Sequence, residues 1–131
     1  MTPRLVLDAG GVLALARRDR RALEGVALAL TRGALVVIPT PVIAQVHRGG
    51  HAGARVDAIL RVSVALPTSD TIARAAGELL GASGQADAID AIVVAEALFA
   101  QPALIMTSDP GDLRALIAGQ ADRARVAIMA V

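Results

Sequence analysis

Asp8, Asp90, Asp109 and Asp112 stand where carboxylates are hardest to explain as ordinary surface. Asp8 closes the apolar run Leu5-Val6-Leu7, Asp90 opens the apolar stretch that follows Ile89, and Asp109 with Asp112 comes just after Ala103 to Met106. In an open parallel sheet, groups just past the carboxyl ends of strands converge on one crevice. Two carboxylates about 4 Å apart repel by roughly 4 kcal/mol at an effective dielectric near 20, so such a cluster takes up protons, arginines or a cation. The chain has no Cys, which excludes thiolate ligands and disulfides and leaves oxygen ligands for any metal. Carboxylate-rich sites with open water positions suit Mg²⁺ or Mn²⁺, and hydrolysis of a phosphodiester is the chemistry they serve.

Each acid also has a plain structural reading. Asp109 before Pro110 fits a helix N-cap, and Asp112 then falls at the third helical position, so capping competes evenly for this pair. Asp87 and Asp90 both suit the first turn of a helix. The apolar helix that follows Asp90 at once favours function there, and structure is favoured for Asp87. Asp8 at the end of a buried strand needs a cap or a ligand to explain it, and a functional role fits best.

The elements that must position these residues follow from the hydrophobic pattern. Short β-branched runs at Leu5 to Leu7, Leu35 to Ile38, Val62 to Leu66, Ala103 to Met106 and Val126 to Met129 alternate with segments of helical spacing. The pattern predicts a single α/β domain over residues 1–131, with a mainly parallel central sheet of about five strands. Gly10-Gly11 and an apolar turn follow the first strand, then the charged cluster Arg17 to Arg21 and a helix to about Leu30 with Asp19 as its cap. Thr40-Pro41 is expected to cap a helix that stops at Gly49-Gly50. Thr68-Ser69-Asp70 opens another that ends between Gly81 and Gly84, and a buried helix is expected from about Ala86 to Ala100.

Composition narrows the function further. Hydrophobic residues make up 55% of the 131, yet Glu96, Pro39 and Pro41 interrupt every run before it reaches membrane-spanning length. The start Met1-Thr2-Pro3-Arg4 leads straight into a strand without a signal core, so a cytoplasmic location and no membrane partner are expected. Every basic residue among the 13 is Arg, which excludes lysine chemistry. Phe99 is the one aromatic residue, so a nucleic acid would be gripped through its phosphates rather than by base stacking.

Taken together, Leu5-Val6-Leu7-Asp8, Pro41 to Gly49, Asp87-Ala88-Ile89-Asp90 with Ala91 to Ala95, and Thr107-Ser108-Asp109-Pro110-Gly111-Asp112-Leu113 resemble a PIN domain, in particular the toxin ribonucleases of the VapC type. The resemblance spans nearly the whole chain. It implies a three-layer α/β/α PIN-like fold and a Mg²⁺- or Mn²⁺-dependent endoribonuclease, the toxin of a toxin–antitoxin pair, commonly a homodimer, with RNA as substrate and a cognate antitoxin as partner. It also implies Asp8, Asp90 and Asp109 as catalytic metal ligands, with Asp112 sharing the metal.

Two positions depart from the family pattern. Gln45 stands where PIN domains usually carry Glu, and an amide can coordinate through its carbonyl oxygen but adds no charge and is no base. Gly10 replaces a small hydroxyl residue. The Gln45 exchange keeps a second reading open, a weak or inert PIN-like protein that binds a partner protein or RNA. A phospho-receiver domain needs a Lys, a haloacid-dehalogenase phosphatase wants an acid where Gly10 stands, and no P-loop occurs. For substrate contact, Gln45 and Arg48 are the candidates, Arg48 because it lies about one helical turn from Gln45. The runs Arg17-Arg18, Arg20-Arg21 and His47-Arg48 with His51 and Arg55 are read first as solvated faces. A purely structural domain whose acids are all caps is the remaining alternative.

Overall fold

The computed structural model describes residues 2–131. Its first strand, β1 (Arg4–Leu7), is central: Leu5, Val6 and Leu7 are fully buried, as expected of a parallel strand covered on both faces. The strand runs into α1 (Ala9–Ala16) and α2 (Arg20–Thr31), then β2 (Leu35–Pro39), α3 (Thr40–Val46) and α4 (Ala54–Val62). The short β3 (Val64–Leu66) follows, then α5 (Asp70–Ser83), α6 (Ala88–Phe99), β4 (Ala103–Thr107), α7 (Pro110–Ile117) and β5 (Val126–Ala130).

All strand pairs are parallel, in the order β3-β2-β1-β4-β5. The expected α/β fold with about five strands is therefore the observed one. The chain steps outward from β1 to β2 to β3, then returns across the sheet to β4 and on to β5. Right-handed crossovers place α1 to α4 on one face of the sheet and α5 to α7 on the other. Between β1 and β4 the connections leave in opposite directions, the place where open parallel sheets form a crevice at the carboxyl ends of their strands.

Local expectations change in four places. Gly10-Gly11 is the first turn of a helix, not a connecting turn. Asp8 caps that helix by accepting a hydrogen bond from Gly11 N at 2.8 Å. The two glycines are demanded by close approach. A Cβ at Gly11 would lie 2.5 Å from the Met106 carbonyl oxygen, and one at Gly10 would overlap the Ser108 hydroxyl. The helix α3 starts one residue earlier than expected, with Pro39 at the cap position and no side-chain cap bond, and it ends at Val46 rather than at Gly49-Gly50. Val62 belongs to α4, a helix that the sequence pattern did not single out, so β3 shrinks to three residues. The caps Asp19 and Ser69 are as expected, accepting from Ala22 N and Ile72 N, and α5 ends on Gly84 in the left-handed conformation. No helix among the described residues is long and apolar enough to cross a membrane.

Candidate active site

Three connections lead acids to the crevice. Asp8 leaves the end of β1, Asp109 and Asp112 follow the adjacent β4, and α6 runs back against the strands, so its first turn, with Asp90, lies at the same sheet edge. Asp8, Asp90 and Asp112 each feel the negative charge of a neighbouring acid. Asp90 is pushed up to about 6, by burial first and then by the negative charges of Asp87, Asp8, Asp109 and Asp112. Asp112 is raised chiefly by a hydrogen bond to the Asp109 carboxylate and then by its charge.

Asp8 is 7% exposed, and that burial pushes its carboxyl up. Hydrogen bonds donated by the Thr107 hydroxyl and by the Gly11 and Gly10 amides pull the other way, and Asp109 adds repulsion. Capping thus accounts for part of Asp8's environment, but not for the negative charge gathered around it.

For Asp109 the capping explanation fails. It occupies the cap position of α7, yet its side chain makes no cap hydrogen bond. Its backbone amide instead donates to Thr107 Oγ1 at 2.9 Å. The carboxylate is left facing Asp112 and the other acids. Asp87 behaves as the structural acid, accepting from Ile89 N at 2.9 Å and Asp90 N at 3.0 Å.

Thr107, fully buried, is the residue that sequence reasoning missed. Its hydroxyl donates to Asp8 and accepts from Asp109 N, joining the ends of β1 and β4. The only advance signal was its place as the last residue of a strand followed by an acid two positions on. Ser108 was missed for the same reason, since its packing against Gly10 depends on a contact between segments nearly a hundred positions apart.

Gln45 is half-buried on α3, which leaves the same sheet edge from β2. None of the hydrogen bonds around the four acids comes from it. Arg48 is turned away. Its guanidinium donates to the carbonyls of His47 at 2.8 Å and Ala44 at 3.5 Å, closing the end of α3. His47 pairs through Nδ1 with Asp57 at 2.8 Å. Arg17, Arg18, Arg20 and Arg21 are exposed, and Arg20 pairs with Glu24 on its own helix, which is the solvated face expected of them.

The donor set is all carboxylate oxygen, and among the described residues no arginine or histidine forms an ion pair with any of the four acids. Uncompensated like charge of this kind fits a hard divalent cation. As they stand, no three Asp, Glu or His side chains among the described residues are gathered closely enough to enclose an ion.

No protein-family model matches the chain, and neither does any curated protein sequence. Solved structures do. One is a chain of the VapBC2 complex of Rickettsia felis bound to a DNA fragment from its promoter, with TM-score 0.74 and 14% identity, covering 98% of both chains. A chain of a toxin–antitoxin complex from Klebsiella pneumoniae aligns with TM-score 0.68 and 19% identity over 95% of each chain. A chain of FitAB bound to the IR36 DNA fragment aligns with TM-score 0.69 and 16% identity, over 96% of this chain and 94% of that one. At these identities the likeness is one of fold, and the fold is the PIN-like α/β/α arrangement seen in those toxin–antitoxin complexes.

Proposed function

We propose that the chain is a divalent-metal-dependent endoribonuclease, the toxin of a toxin–antitoxin pair. The carrying observation is the placement of Asp8, Asp90, Asp109 and Asp112 at one sheet edge without a cationic partner among the described residues, their charges adding to the burial that pushes Asp90 up to about 6. Asp8, Asp90 and Asp109 would hold Mg²⁺ or Mn²⁺, with Asp112 sharing it. The ion would supply Lewis acidity, a more acidic bound water and neutralisation of charge on the scissile phosphate. The residues of the chain do the rest. Thr107 fixes the Asp8 carboxylate against the Asp109 backbone, Asp8 stays oriented by the first amides of α1, and Asp90 would give up its proton to take the ion. The toxin–antitoxin complexes of like fold support a protein antitoxin as partner, and RNA is the substrate expected from the motif resemblance.

Asp8→Asn and Asp90→Asn test this directly. Each should weaken Mn²⁺ binding, read by calorimetry, by more than about 100-fold, beyond the loss typical of outer partners, and should abolish RNA cleavage. Undiminished cleavage by either purified variant would refute the assignment.

One observation favours a second reading, an impaired nuclease that acts by binding. No three acids are gathered to enclose an ion, and the position that would supply another charge carries Gln45. Gln45→Glu separates the two. A large gain in nuclease activity identifies the natural chain as impaired, whereas unchanged activity means the amide suffices.

A further inference from the structure

At the opposite end of the sheet from the acids, one face is left uncovered. On the side of α1 to α4, helix α2 covers β1 and β2 and α1 packs on β4, but the starts of β4 and β5 line an open groove. On the other side α7 packs against β5. The uncovered face forms a groove of about 620 Å³ between α2 and the strand starts. Leu5, Leu104, Ala127 and Met129 form its floor, and Ala127 is exposed although it sits in a strand.

Helix α2 lines the groove through Arg21, Gly25, Leu28 and Arg32. From Arg21 to Arg32 the helix rises about 16 Å, the length of three turns. Gly25 lets the Met129 and Met106 side chains come up against the helix, where a Cβ would lie 2.7 Å from Met129 Sδ. Leu28 is 53% exposed at the mouth.

The rim is cationic. Arg21, Arg32 and Arg125 border the groove, and none of them forms an ion pair among the described residues. The single acid of the rim, Glu24, is already paired with Arg20 at 3.0 Å. Arg4 also lies at this end but is opposed by Glu96 on the other face.

We infer that this groove is a docking site for an acidic amphipathic helix of a partner protein. An elongated apolar floor with arginines at both ends of α2 matches a helix with an apolar stripe flanked by Asp and Glu. It would cover the open starts of β4 and β5, as α7 covers β5 opposite. Extended nucleic acid fits worse, because the floor is apolar and carries no aromatic residue for stacking. Methionine at the floor adapts to the shape of an apolar stripe. The groove lies at the strand starts and the acids at the strand ends, so occupancy leaves the acidic crevice open, and this inference stands apart from the metal reading.

The test uses the full isotope-labelled chain and a synthetic helix of about four turns with leucines on one face and glutamates on the other. A counterpart carries lysine in place of glutamate. The glutamate helix should shift the amide resonances of Gly25, Leu28 and Ala127, and bind about tenfold or more tighter than the lysine helix. An Arg21→Glu, Arg32→Glu double variant, altered only at exposed positions, should keep its remaining spectrum and lose that preference. Failure of the glutamate helix to bind, equal binding of both helices, or shifts confined to other surfaces would overturn the proposal. So would an RNA oligomer that shifts the same resonances more strongly, or self-association of the chain through this face.

Discussion

Asp90 is the residue at which function and stability pull apart. Its carboxyl titrates near 6 in the folded chain against 3.8 for the free group, so folding favours its protonated form. The resulting stabilisation is complete below pH 3.8 and is lost as pH rises through about 6. Asp90→Asn removes that loss. The variant should be more stable than the natural chain at pH 7.5 by about 1 kcal/mol, once screening of a half-buried group is allowed for, and the two should converge near pH 4. Urea midpoints across that range decide it; parallel curves would mean that Asp90 is not strained by its neighbours. The raised pKa also means that a cation must displace a proton there, so Mn²⁺ affinity should fall as pH drops through about 6.

At the scale of elements, the contact between α1 and the turn after β4 holds the crevice together. Gly10→Ala pushes a methyl group into the Ser108 hydroxyl and to 2.6 Å from its amide nitrogen, so one element must shift. A loss of about 1–3 kcal/mol in chemical denaturation is expected, together with weaker Mn²⁺ binding. Gly77→Ala, in the middle of α5 with nothing within 4 Å of the added carbon, is the control and should gain about 0.5–1 kcal/mol. Equal effects at the two positions would remove Gly10 from the site's framework.

These same elements mark what could be read from sequence. Strands β1, β2, β4 and β5 were legible to within about one residue because buried parallel strands are continuous apolar runs. So were the Ser69 and Asp19 caps, which are local chemistry. The first turn of α1 was hidden because Gly10-Gly11 signals a break locally, while the reason for both glycines lies on β4. Helix α4 has no buried residue, so its pattern carried little signal. Among the acids, the competition between capping and function at Asp109 could be resolved only by seeing that its carboxylate caps nothing.

For the whole molecule, the acids concentrate negative charge at one sheet edge while arginines without an ion pair among the described residues border the other end. A cation that binds only the folded chain stabilises it by mass action, by about 2.7 kcal/mol at a hundred times its dissociation constant. Millimolar Mn²⁺ should therefore raise the melting temperature by several degrees, and a chelator should return it to the metal-free value. Asp8→Asn should abolish the increment, and an increment that survives that change would place the ion elsewhere.

The strand order carries a consequence for synthesis. Asp8 is made before its neighbour in the sheet, β4, and before the Thr107 hydroxyl that holds it, about a hundred residues further along. A nascent chain therefore cannot assemble the crevice until β4 and the turn after it have left the ribosome. A fragment cut short before Thr107 lacks both the clamp and half of the acids. For the ribonuclease proposed above, that order of construction would keep the growing chain harmless to the machinery making it.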